Sequence, residues 1–75
     1  MYQLSKGDYI EFSYTNWEGK VGVREVIVEG LLYGSNSYHT DEQFLLEAFD
    51  IDKKEMRTFA IKDMTNIFVW KGVKK

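Results

Sequence analysis

No cysteine occurs in this chain, and there is only one histidine. Disulfide staples are excluded, and so is a metal site built from several imidazoles. Any apolar run long enough to cross a bilayer or to form a secretory signal core is missing too, and the opening stretch Met1 to Asp8 is mixed in polarity. Positive charge is not in excess. A net charge of −2 and a pI near 5.3 give no global attraction to phosphate. With one histidine, and with Ser–Asp pairs that no spacing connects, the chain lacks a recognisable catalytic constellation. The expectation is a cytoplasmic protein with no membrane association, no catalytic residues, no metal and no cofactor.

What the chain does have is aromatic and β-branched. Its 75 residues make one small domain, 1–75, with a core over about 8–70 and frayed termini. A domain of this size buries only about 60% of the surface its unfolded chain exposes. Stability must then come from its 16% aromatic and 44% hydrophobic residues, or from self-association.

The most informative stretch runs from Phe44 to Ile61. Two alternating segments, Phe44–Asp50 and Glu55–Ile61, flank the loop Ile51-Asp52-Lys53-Lys54. Their alternation agrees in one register, with Asp50 opposite Glu55, Ala48 opposite Arg57, Leu46 opposite Phe59 and Phe44 opposite Ile61. One face is then Phe44, Leu46, Ala48, Phe59 and Ile61, with Arg57 at its rim. A guanidinium on that parity requires an anion, a carbonyl or solvent.

Other segments read as strands as well. Asp8 to Asn16 places Ile10, Phe12 and Tyr14 on one side. Lys6-Gly7-Asp8 before it is a turn signal, and Asn16 to Lys20 after it has hairpin chemistry, Gly19 supplying a positive φ. Val21 to Tyr33 is a longer β run whose alternation breaks near Glu25 and at Glu29-Gly30, which predicts a bulge or bend. Gly34 to Ser37 is a loop, Lys62-Asp63-Met64 a short turn, and Thr65 to Trp70 a last strand with Ile67 and Val69 on one face. About five strands, one strongly bent, and no helical period predict an all-β, small five-stranded barrel of the SH3-like or Sm-like type.

The order of these elements resembles the WYL domain family. Phe44-Leu45-Leu46 stands where the family's Trp-Tyr-Leu tripeptide falls, followed by Ala48-Phe49-Asp50 and then Arg57-Thr58-Phe59-Ala60-Ile61. Upstream, Phe12 to Asn16 with Gly19 is similar to the family's first strand and turn, and Arg24, Val26 and Leu31 to its second strand. Tyr38 to Leu46 resembles a stretch of small stand-alone bacterial and phage members. The resemblance implies an Sm-like SH3 barrel that senses ligands in bacterial regulators, with single-stranded nucleic acid as a ligand class. Two departures stand out: Val28 sits where a proline is common, and Asp63 where an arginine is usual. The DNA-binding domain that precedes such domains in regulators is not in these residues, so the chain is not expected to regulate transcription alone.

Candidate ligand-binding residues are Arg57, Arg24, Tyr38 and His39. Arg57 either meets a phosphate bidentately or pairs with Asp50 or Glu55 across the hairpin. Arg24 joins it or is an exposed strand arginine. His39 contacts a ligand or orders its own loop. Tyr14, Tyr33, Tyr38 and Trp17 offer stacking faces, but Tyr14 has core parity. Trp17 and Tyr33 are candidates for an interaction surface, Trp17 being the aromatic expected to be exposed. The basic residues gather at Lys53-Lys54 and at Lys71, Lys74 and Lys75, the acidic ones at Glu25, Glu29, Asp41, Glu42 and Glu47. Three functions fit: a module for single-stranded nucleic acid or a nucleotide, a protein-interaction module using Trp17 or a free sheet edge, and a homo-oligomeric barrel.

Overall fold

The computed structural model describes residues 4–35 and 41–70. Five antiparallel strands form one sheet: β1 Tyr9–Thr15, β2 Val21–Gly34, β3 Gln43–Asp50, β4 Glu55–Ala60 and β5 Met64–Trp70. A 3-10 turn, Ile61–Asp63, joins the last two. The order across the sheet is β4-β3-β2-β1-β5. The predicted all-β class and the number of strands agree with this arrangement.

Local chemistry sets each turn. Gly7, at φ +94, occupies the third position of a turn closed by Asp8 N–H donating to the Ser5 carbonyl at 3.0 Å, a conformation that suits glycine. In the β1–β2 hairpin the Asn16 side-chain oxygen accepts from both Glu18 N–H and Lys20 N–H at 2.9 Å, and Gly19 turns at φ +83. Asp50 organises the β3–β4 loop. Its Oδ1 accepts from Lys53 N–H at 3.1 Å, and its carbonyl from Lys54 N–H at 2.7 Å.

The Phe44–Ile61 register holds for Leu46↔Phe59, Ala48↔Arg57 and Asp50↔Glu55. It fails at the open end. The β3–β4 ladder stops at Leu45↔Ala60 because Ile61 enters the 3-10 turn, so Phe44 has no partner on β4. Phe44 is therefore exposed rather than core, and it rests edge-on against Tyr33 of β2 at 5.0 Å. Two boundaries also move. Met64 belongs to β5 and is buried, and Gly34 closes β2.

The sheet is strongly curled. In a flat sheet β1 and β4, three strand spacings apart, would be separated by roughly 14 Å. Instead the Phe59 ring lies 5.2 Å from Phe12 and 5.0 Å from Tyr14. Ile10, Phe12, Tyr14, Val26, Val28, Leu46, Ala48, Phe59 and Met64 form the enclosed core, with Leu4, Ile61, Ile67 and Val69 packed against it. Among the described residues β4 and β5 share no ladder. The sheet is thus curled on itself, with a seam between these two strands.

Two irregularities accommodate the curl. In β2 the register shifts between Val28 and Gly30, leaving Glu29 unpaired against β3, which is the predicted bulge. The glycine itself is not strained. A Cβ at Gly30 would meet nothing within 4 Å, so a side chain there has room and valine is not expected to strain the corner. The second shift lies between β1 and β5, where Asn66 and Ile67 oppose Phe12, and Asn66 takes φ +52. The predicted fraying of Gly72 and the terminal lysines falls outside the described residues. No described helix is long and apolar enough to cross a membrane.

Candidate functional site

Both arginines of the chain are on the inner face of the sheet. Arg24 follows from the β1–β2 register, which sets it opposite the buried Phe12, while Arg57 opposes the buried Ala48. Each guanidinium lies near an aromatic ring. Arg24 Cζ is 6.0 Å from the Tyr14 ring centre, and Arg57 Cζ is 5.9 Å from that of Phe59. Those two rings meet edge-on at 5.0 Å. The two cations therefore flank one aromatic pair, contributed by strands at opposite sides of the sheet order.

Their electrostatic partners differ. Arg57 reaches Glu55 at 3.8 Å through an ion pair in which both side chains are substantially exposed, a geometry that contributes about 0–1 kcal/mol. Its predicted alternative partner, Asp50, instead turns into the loop it caps and is buried, with Oδ2 lacking a hydrogen-bond partner among the described residues. Arg24 has no carboxylate within ion-pair distance among the described residues, and its buried Nε–H has no protein acceptor. Gly22 makes room for it: a Cβ there would come within 2.7 Å of an Arg24 terminal nitrogen. Burial, with the Asp63 carboxylate nearby, pushes the Tyr14 phenol above its ordinary value of 10.0, against the opposing pull of the Ala60 N–H, Lys62 and Arg24.

The other predicted site residues that the structure describes do not join this pair. Trp17 is 88% exposed in the β1–β2 turn, ahead of the first residue of β2. Tyr33 is exposed near the opposite end of that strand, so the two aromatics form no common surface. Tyr38 and His39 lie outside the described residues. Tyr14 is core, as its parity predicts, and its hydroxyl accepts from Ala60 N–H at 2.9 Å.

Residues that the sequence reading passed over lie on the outer face. Four ladders align Trp70↔Tyr9, Tyr9↔Ile27, Ile27↔Phe49 and Phe49↔Met56 into one transverse row of apolar side chains across all five strands. Trp70 stacks on Tyr9 at 5.1 Å, and Phe68 lies 6.1 Å from Trp70. No single segment signals this row, since each strand contributes one or two residues to it.

Compared with known proteins, the chain matches no family model, and no curated protein shows significant similarity to it.

Proposed function

We propose that the chain is a non-enzymatic, cytoplasmic binding module of the WYL type. Its ligand is anionic, single-stranded nucleic acid or a nucleotide, and is taken up on the inner face at Arg24 and Arg57. Arg24 carries the reading: a guanidinium on core parity whose buried Nε–H has no protein acceptor among the described residues. An unmatched buried donor on a charged group costs stability, and a phosphate matches a guanidinium bidentately. Arg57 adds a second cation, beside the Phe59 ring and in a long, exposed ion pair with Glu55 that a ligand can displace. The resemblance adds Tyr38 and His39, which belong to the segment between β2 and β3.

A titration of a labelled single-stranded oligonucleotide and of a nucleotide, at low and moderate salt, tests this on wild type, Arg24→Gln and Arg57→Gln. Saturable, salt-sensitive binding is expected, with each variant weaker and with a shallower salt slope. No saturable binding at low salt, or equal affinities in folded variants, rejects it.

A further inference from the structure

The inner-face site leaves the outer row unexplained. Trp70, Tyr9, Ile27, Phe49 and Met56 run side by side across the whole sheet, and Phe68 widens the row next to Trp70. Phe68 is 62% exposed and Met56 54%. Isolated exposed apolar side chains are ordinary, but a contiguous run spanning every strand of a small domain marks a contact surface.

At the outward strand positions among the described residues, charge beside the row is of one sign. Glu11 and Glu25 oppose each other directly on β1 and β2, two residues along from Tyr9↔Ile27 and so the next pair on the same face. Like charges placed opposite each other across a sheet destabilise it. The Tyr9 hydroxyl hydrogen-bonds the Glu25 carboxylate, and Glu11 and Asp52 also act on that phenol. The outward positions of the five strands include Glu11, Glu25 and Glu47 but neither lysine nor arginine among the described residues. A second copy offering the same face brings no cation to this carboxylate pair, and a nucleic acid brings further negative charge. The complement is an apolar surface edged with positive charge.

We propose that the outer face docks a segment of a partner protein in which apolar side chains, seated on the row from Trp70 to Met56, are flanked by lysine or arginine that neutralises Glu11 and Glu25. The nucleic-acid site and this surface lie on opposite faces of the same sheet, so one chain can hold both ligands at once.

The probes are two synthetic amphipathic peptides with the same apolar face, one flanked by lysines and one by glutamates. They are titrated into the full chain while backbone and tryptophan-indole resonances are followed, and sedimentation equilibrium is run alongside. The lysine peptide should bind saturably, shifting resonances of Tyr9, Ile27, Phe49, Met56, Phe68 and Trp70, and the glutamate peptide should bind at least about tenfold more weakly. Glu25→Lys, which leaves the Glu11 and residue-25 pair with no net charge, should largely abolish that preference. This change removes a like-charge pair but also the Tyr9–Glu25 hydrogen bond, so the folding of the variant is checked by its backbone resonances before the peptides are compared. Equal affinity of the wild type for both peptides, a preference kept undiminished in the folded variant, or shifts confined to the inner face would overturn the proposal. So would a dimer that buries this face, or an oligonucleotide that shifts the same outer resonances.

Discussion

Ala60 N–H donates to the hydroxyl oxygen of Tyr14 at 2.9 Å, bonding the last residue of β4 to a strand three places away in the sheet order. The bond fixes the curl where no ladder joins β4 to β5. Ala60 is fully buried, so its N–H has no solvent to turn to. Tyr14→Phe should destabilise the fold by about 1–3 kcal/mol, the cost of an unsatisfied buried donor. Urea unfolding measures this, and an unchanged midpoint would show that the bond contributes nothing.

Phe59 touches both Phe12 and Tyr14 with its ring and is buried to 1% exposure. Phe59→Ala removes the side chain on which β1 and β4 converge. A loss of about 3–5 kcal/mol is expected, a large part of what a small domain has to lose. Denaturant titration with a constant m-value would give the number directly.

Lys54 holds φ +58 in the β3–β4 loop, a left-handed conformation that a side chain adopts only at a cost. Lys54→Gly relieves that cost but loosens the unfolded chain, so the net gain should be modest, under about 1 kcal/mol. Asn66, at φ +52 in the β5 bulge, should tolerate glycine but lose stability on replacement by valine. Thermal midpoints of the three variants test both positions, and a stabilising Asn66→Val would contradict the assigned backbone.

Alkali should destabilise the fold. The Tyr14 phenol is raised above its ordinary 10.0 chiefly by burial. Tyr9 is raised by burial and then by Glu25, Glu11 and Asp52. The folded state therefore keeps protons that the unfolded state has released. Their contribution is complete below the ordinary tyrosine value and is lost as pH rises through the folded-state values. Urea midpoints should fall across that alkaline window, and the fall should be smaller in Tyr14→Phe. A midpoint independent of pH there would refute the shifts.

Much of the fold was legible because inner and outer positions alternate plainly in β1 and in the β3–β4 hairpin. Ile10, Phe12, Tyr14, Leu46 and Phe59 all take the predicted face, and the bulge before Gly30 follows from the broken phase of β2. Phe44 was misplaced because parity fixes the face a residue points to, not how far the neighbouring strand extends to cover it. Arg24 was ambiguous for a different reason. Val21 and Val23 put apolar residues on the outer face of the same strand, so period-two alternation could not separate inside from outside until Phe12 was paired with it. The room that Gly22 leaves for the Arg24 guanidinium depends on side-chain placement and has no sequence signature.

That room offers a separate test of the inner site. Gly22→Ala places a methyl 2.7 Å from an Arg24 terminal nitrogen, so the guanidinium must shift while the backbone, at an ordinary φ, remains unstrained. Oligonucleotide affinity should fall several-fold with little change in unfolding midpoint. A variant that binds as wild type would show that the room left by Gly22 does not set the affinity.

The most direct measurement follows from the chain having just two arginines, Arg24 and Arg57. Their side-chain Nε–H groups give two resolvable nitrogen–proton resonances, assigned by Arg24→Gln and Arg57→Gln. Titration with a single-stranded oligonucleotide at low salt should shift both resonances along one saturation curve, and added salt should reverse the shift. If the oligonucleotide leaves both in place, or moves only backbone resonances remote from the Tyr14–Phe59 pair, the inner face is not an anion site and the two arginines serve the fold alone.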